Sequence, residues 1–281
     1  MKIIAFGEIL WDVFGETKTL GGAPFNFAAH AAQLGAESYL VSCVGNDENG
    51  RKAIESASQI GIKTDYIAID RNHFTGECAV TLENGIPTYN LVQNTAYDHI
   101  PISTLSGKFD ALYMGTLALR SQQSRRSFER LLGSAEYKEV LFDVNFRSNF
   151  YSRELVNSLL RNTTILKVSD EEIDFFGKRN HIDTVLEISK KYPNLKYICL
   201  TLGKDGAMVF DCRKKQILFS DKPKNNVVST VGAGDSFAAA FLTSILSGLK
   251  PAEALDKAII LSDFVVGHLS AVPRYEINQL F

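Results

Sequence analysis

The sequence predicts an α/β fold, a mostly parallel sheet between layers of helices with a small β lid. Three observations carry this. Strand-like and helix-like segments alternate along the 281 residues, as layered α/β domains require. Several strand segments are continuously apolar, as in Val140-Leu141-Phe142, which suits a sheet buried on both faces. Two stretches, about 12–20 and 65–94, break the alternation with short β-like runs that fit poorly in a parallel sheet.

Taken in order, the chain enters on a strand over 2–10, and 12–20 is extended without a helical pattern. Pro24 suits the first turn of a helix over 24–34. A strand over 37–44 and a helix over 48–60 follow. Within 65–94, the runs Glu77 to Leu82 and Thr88 to Val92 flank Asn84-Gly85, a strong hairpin signal. Further strands are expected over 109–114, 139–144, 164–168, 196–202 and 206–211. Helices are expected over 121–136 and 181–192. Arg213-Lys214-Lys215 reads as a solvated hairpin tip. A helix over 234–248 stops at Gly248, and one over 251–269 starts at Pro251. A single domain over 1–281 is expected, with a lid from about 12–20 and 65–94. Such a small sheet often pairs with a copy of itself, so a homodimer through the lid is expected.

A formal net charge of −2 offers no electrostatic case for nucleic acid or an acidic membrane surface. The four cysteines form no Cys-x-x-Cys pair, which suggests neither a metal cluster nor a disulfide framework and fits a reducing cytoplasm. The N-terminus carries Glu8 and Asp12 early and does not read as a signal peptide. No apolar run reaches membrane-spanning length.

The chemistry concentrates in Thr230-Val231-Gly232-Ala233-Gly234-Asp235, which runs into an apolar helix. The first amides of a helix lack internal partners and face outward at the positive end of its dipole. The Gly-Ala-Gly turn is therefore an anion site. Asp at a helix start is ordinarily a cap. Here a cap would repel a bound phosphate, and the other work open to Asp235 is that of general base. The motif is neither a Walker A loop nor a dinucleotide fingerprint. Near the N-terminus, Gly21-Gly22 precedes Asn26, and Asp12 closes the first strand. Asn26 offers donors and an acceptor and Asp12 acceptors only, which suits a ligand with several hydroxyls.

With both motifs in place, about two hundred residues apart, the chain resembles the PfkB/ribokinase family of carbohydrate kinases over essentially its whole length. The resemblance implies a ribokinase-like fold with the lid over the sugar, in a cytoplasmic, ATP- and Mg²⁺-dependent enzyme that phosphorylates a sugar hydroxyl. Asp235 would be the base, and the amides of Gly232, Ala233 and Gly234 would hold the transferred phosphoryl group. Asp12, Gly22 and Asn26 would bind sugar hydroxyls, with Asn145, Arg147 and Arg120 completing the pocket or Arg147 contacting the phosphate side. Thr201-Leu202-Gly203-Lys204-Asp205-Gly206 resembles the nucleotide-side strand and turn, giving Thr201, Gly203 and Gly206 to the ATP cleft. Lys167 would reach the nucleotide phosphates or cap a strand end. Glu172 would order the Mg²⁺ shell, directly or through water. Ser229 stands where relatives carry the Asp that helps form a monovalent-cation site, so K⁺ activation is not expected.

Met114 to Ser121, the Asn145-x-Arg147 pair and Ser169 lean toward bacterial fructokinase-like members, although Leu119 stands where those carry Gln. Fructose to fructose 6-phosphate is the expected reaction. Another ketose, a sugar acid or a nucleoside as acceptor, or a non-catalytic sugar-binding module on the same fold, are the alternatives. A nicotinamide-dependent oxidoreductase would need Gly-x-Gly-x-x-Gly after the first strand, and Gly7-Glu8-Ile9 does not match.

Overall fold

The computed structural model describes residues 1–83, 86–102, 105–177, 180–221 and 226–281. The first strand, β1 (Lys2–Phe6), alternates its side chains between two cores. Ile3 and Ala5 face one, Ile4 and Phe6 the other. The sequence suggested a strand to residue 10. The strand instead stops at Gly7, whose φ of 145° lies in the region that favours glycine and where an added Cβ would sit 2.5 Å from Pro24 Cγ. The chain then turns into a hairpin of β2 (Leu10–Phe14) and β3 (Thr17–Gly21).

Next come α1 (Ala23–Gln33), with Pro24 in its first turn, and β4 (Glu37–Gly45). At the start of α2 (Glu48–Ile60), Asp47 Oδ1 accepts the Gly50 N–H at 2.7 Å. Four strands follow: β5 (Ile67–Asp70), β6 (Gly76–Glu83), β7 (Ile86–Leu91) and β8 (Gly107–Met114). Ser121 caps α3 (Gln122–Ser134), which leads into β9 (Ala135–Asp143). Ser152 caps α4 (Arg153–Leu160), followed by β10 (Ile165–Ser169), α5 (His181–Lys191) and β11 (Tyr197–Thr201). An edge hairpin, β12 (Ala207–Asp211) and β13 (Gln216–Ser220), carries the exposed Arg213-Lys214-Lys215 at its tip. The chain closes with α6 (Ala233–Leu246), α7 (Pro251–Val266) and α8 (Ile277–Leu280).

The main sheet has the order β13-β12-β11-β10-β9-β8-β1-β4-β5. It is parallel from β11 to β5, and β12 and β13 join antiparallel. One face is covered by α1, α2, α6 and α7 through Phe25, Ala53, Phe237, Phe241 and Leu255. The other is covered by α3, α4 and α5 through Phe128, Leu159 and Ile188. Helices on both faces explain the continuously apolar strands.

A second sheet, β3-β2-β6-β7, stands apart. Within it Asp12 pairs with Thr19 on β3 and Cys78 on β6. Part of the 65–94 stretch belongs elsewhere, because β5 pairs parallel to β4 in the main sheet. The Asn84-Gly85 turn lies outside the described residues. The short edge strand β13 and the two-turn helix α4 carried too little periodicity to be read from sequence.

Candidate active site

The carboxyl ends of β1, β9, β10 and β11 open along one edge of the sheet, the place where open parallel sheets bind ligands. A continuous cavity of about 720 Å³ runs there. Since β1 and β11 are four strands apart, they are separated by about 19 Å at ~4.8 Å per strand. That length admits two small molecules end to end. The cavity wall includes Asp12, Gly22, Asn26, Asn145, Arg147, Lys167, Glu172, Thr201, Gly203, Gly206, Gly232, Ala233, Gly234 and Asp235.

Asp235 sits in the first turn of α6 and is buried. Its Oδ2 accepts a hydrogen bond from Asn26 Nδ2 of α1 at 2.8 Å. Burial raises the Asp235 carboxyl above its ordinary value, against the Asn26 hydrogen bond and the charges of Lys167 and Arg147. A carboxylate whose proton affinity is raised is a stronger base.

The turn before Asp235 needs glycine. Gly232 has φ 83°, and an added Cβ would lie 2.5 Å from the Ala271 carbonyl oxygen, a backbone atom that cannot swing aside. At Gly234 the obstacle would be Lys167 Nζ at 2.7 Å, so the ammonium lies directly against the loop. The Ala233 N–H already donates to Thr230 O at 3.3 Å, a long bond that a bound anion would replace. Gly232→Ala should lose roughly 1–3 kcal/mol of stability, the usual cost of a residue forced into a disfavoured backbone region, and thermal melting checks this.

Lys167 is buried and pairs with Asp143 Oδ1 at 2.9 Å. The two are direct neighbours across β10 and β9. Burial opposes the Lys167 charge, but Asp143, Glu172 and Asp235 outweigh it and hold the ammonium above its ordinary value. Asp143 is pushed up to about 6 by burial despite Lys167. Glu172 is pinned at both oxygens, Oε1 by the Phe146 N–H and Oε2 by the Ser169 N–H, each at 2.9 Å. Asn145 adopts φ 37°, a left-handed conformation that Asn tolerates.

At the lid side of the cavity, burial pushes Asp12 up to about 6. The charge of Arg147 lowers Asp12, Glu8 and Asp235 together. Burial and Asp12 push the Cys78 thiol up to about 11. At the other side, Ala207, Val227, Ile259 and Val266 form an apolar stretch beside Lys204 and Ser262.

Arg120 is a correction. It does not line the cavity. Its Nε and one terminal nitrogen fork onto Asp98 at 2.7 and 2.8 Å, and that same nitrogen also donates to Val92 O. The guanidinium stacks on Tyr97 and Phe150. Nε and Nη2 are committed to protein acceptors, and the buried Nη1 has no hydrogen-bond partner among the described residues. The sequence reading missed Glu8 and Lys204 on the wall and Asp143 behind it. Asp143 stood in a segment already singled out, but its role rests on strand register, which a single sequence does not display.

A buried carboxylate beside a helix-start anion loop, in a cleft long enough for an acceptor and a nucleotide, defines a small-molecule kinase. Residues 2–277 match the pfkB family of carbohydrate kinases, and the chain belongs to that family. It is an ATP-dependent carbohydrate kinase. An ATP-dependent 6-phosphofructokinase of Thermoanaerobacterium thermosaccharolyticum is 28% identical over 295 residues, covering 96% of this chain and 89% of the relative. Fructokinase-2 of Solanum habrochaites is 28% identical over 269 residues, covering 87% and 81%. Among solved structures, the aminoimidazole riboside kinase from Salmonella enterica superimposes with a TM-score of 0.84 at 22% identity, covering 100% of this chain and 98% of that one. A fructokinase double mutant from Vibrio cholerae O395, solved with fructose, ADP and potassium ion, gives 0.85 at 21%, covering 96% and 94%. At these identities the superpositions establish the fold alone. No described helix is long and apolar enough to cross a membrane.

Proposed function

We propose that the acceptor is fructose and that the product is fructose 6-phosphate. Phosphoryl transfer is supported by Asp235, a buried carboxylate held by Asn26 at the mouth of the Gly-Ala-Gly turn, and fructose is favoured by relatives named fructokinase. The sugar lies against Asp12, Gly22, Asn26, Asn145 and Arg147. Asp235 takes the proton of the attacking hydroxyl as that oxygen meets the γ-phosphorus of ATP. Backbone N–H groups of the turn and the Lys167 ammonium stabilise charge on the phosphoryl group. Thr201, Gly203 and Gly206 line the ATP side.

Mg²⁺ is the divalent ion of this reading. The described residues form no cluster of three acidic, His or Cys ligands, which fits an ion held through one or two carboxylates, waters and nucleotide phosphates. Glu172 fits, because each pinned oxygen keeps a lone pair for water. When bound, the ion neutralises phosphate charge.

The relative named 6-phosphofructokinase raises a phosphorylated acceptor as a second reading. Glu8, Asp12 and Asp235 share the cavity wall with Arg147, and three carboxyls to one guanidinium disfavour a dianion. The test is kcat/KM for fructose, fructose 6-phosphate, other ketoses, a sugar acid and a riboside, with the product identified by NMR. Fructose should lead and yield the 6-phosphate. A riboside or fructose 6-phosphate in the lead would move the substrate and keep the mechanism.

Replacing K⁺ by an inert organic cation should leave kcat unchanged. Ser229 supplies no charge, and its hydroxyl already accepts the Val231 N–H at 3.3 Å. Clear activation by K⁺ would contradict this. We also propose that the lid sheet, with β3 and β7 at its edges, forms a homodimer surface, which sedimentation of the purified protein tests.

A further inference from the structure

Glu8 has no part in the phosphoryl-transfer chemistry, yet it lies on the cavity wall, 3% exposed. Its Oε2 is buried and has no hydrogen-bond partner among the described residues. Backbone groups of Glu8 and Ala118 lower the carboxyl and so favour its charged form. Gly22 packs on it closely: an added Cβ there would lie 3.3 Å from Glu8 Cγ.

A second buried acceptor in the same cavity also lacks a partner. Asn26 spends Nδ2 on Asp235 and leaves Oδ1 unserved. Buried polar atoms in native proteins are almost always paired, and each exception calls for an explanation. Two unserved oxygens on residues of one cavity wall, one of them on the residue that holds the base, call for a ligand that brings donors. Hydroxyls do so. An apolar ligand leaves both oxygens unpaired, and an anionic group meets them with repulsion.

We propose that Glu8 binds a hydroxyl of the acceptor and is a specificity-determining residue that selects an uncharged polyol; the proposal rests on the kinase reading above. Burial, with Asp235 adding to it and Arg147 opposing it, pushes the Glu8 carboxyl up to about 7. Arg120, Tyr97 and Tyr113 also feel its charge. Near neutral pH the carboxyl therefore both donates and accepts, as a hydroxyl partner requires.

The test measures kcat/KM for the best sugar and each of its monodeoxy derivatives, in wild type, Glu8→Gln and Glu8→Ala. Removal of one particular hydroxyl should cost the wild type roughly tenfold or more, since a site built to bond a hydroxyl rejects the analogue that lacks it. That penalty should vanish in Glu8→Ala, with the loss carried by KM. A merely structural Glu8 would weaken all sugars alike, and identical deoxy penalties in all three proteins would overturn the proposal. A crystal structure of the wild type with that sugar decides independently of whether the variants fold. A sugar oxygen within hydrogen-bond distance of the Glu8 carboxyl supports the proposal, and a carboxyl walled off from the sugar by protein overturns it. Wild-type protein inactive on every sugar would overturn the kinase reading and this proposal with it, whereas active protein with unchanged penalties would overturn this proposal alone.

Discussion

Asp235→Asn should lower kcat by roughly 10²–10⁴, the usual contribution of a positioned general base, while sugar binding survives. The substitution keeps the shape of the side chain, and its amide oxygen can still accept from Asn26 Nδ2, which now bonds Asp235 Oδ2 at 2.8 Å. What it removes is the ability to take a proton. A cap lost from α6 would instead cost about 1 kcal/mol of stability and little rate. Steady-state kinetics beside calorimetric sugar titration separates the two. The pH dependence has a definite sign. The base must be ionised, so wild-type kcat should fall as pH drops through the Asp235 pKa, which burial has raised above the ordinary value. Asp235→Asn should lose that acid limb.

Lys167→Met should destabilise the fold by about 3–5 kcal/mol, the range for removing one partner of a buried ion pair. Asp143 is fully buried and, among the described residues, keeps only the Tyr113 hydroxyl, at 3.2 Å, when the ammonium 2.9 Å away is gone. The loss should shrink in acid. Folded Asp143 already sits at about 6 against an unfolded 3.8, so protonation favours the folded state and stability rises as pH falls from about 6 toward 3.8. Without Lys167 the folded value climbs further and the gain on acidification grows. Chemical denaturation at neutral and mildly acidic pH measures this. Adding Asp143→Asn should recover much of the loss, because no buried charge is then left unpaired. A Lys167→Met protein as stable as wild type at neutral pH would contradict the ion-pair account.

Much of the site was legible because its chemistry is local. Gly232 to Asp235 carries the anion loop and the carboxylate within four residues, and helix α6 starts inside that run. Gly22 and Asn26 are likewise set by one turn and one helix start. What escaped depends on contacts far apart in sequence. Arg120 read as a pocket residue because Asp98, its partner 22 residues upstream, gave no sign of pairing. Asp143 became a partner of Lys167 only when β9 and β10 came into register. Glu8 looked like an ordinary strand residue until the turn at Gly7 and the packing of Gly22 buried it. The lid was legible as β structure, but β5 was assigned to the wrong sheet, since four residues cannot announce which neighbour they will pair with.

The most direct test of the central claim is sugar-dependent ADP release from Mg-ATP by the purified protein, run beside Asp235→Asn. Release should require a sugar, be greatest with fructose and nearly disappear in the variant while the variant still binds the sugar. Release that ignores sugar, or an Asp235→Asn enzyme that turns over like wild type, would contradict the claim.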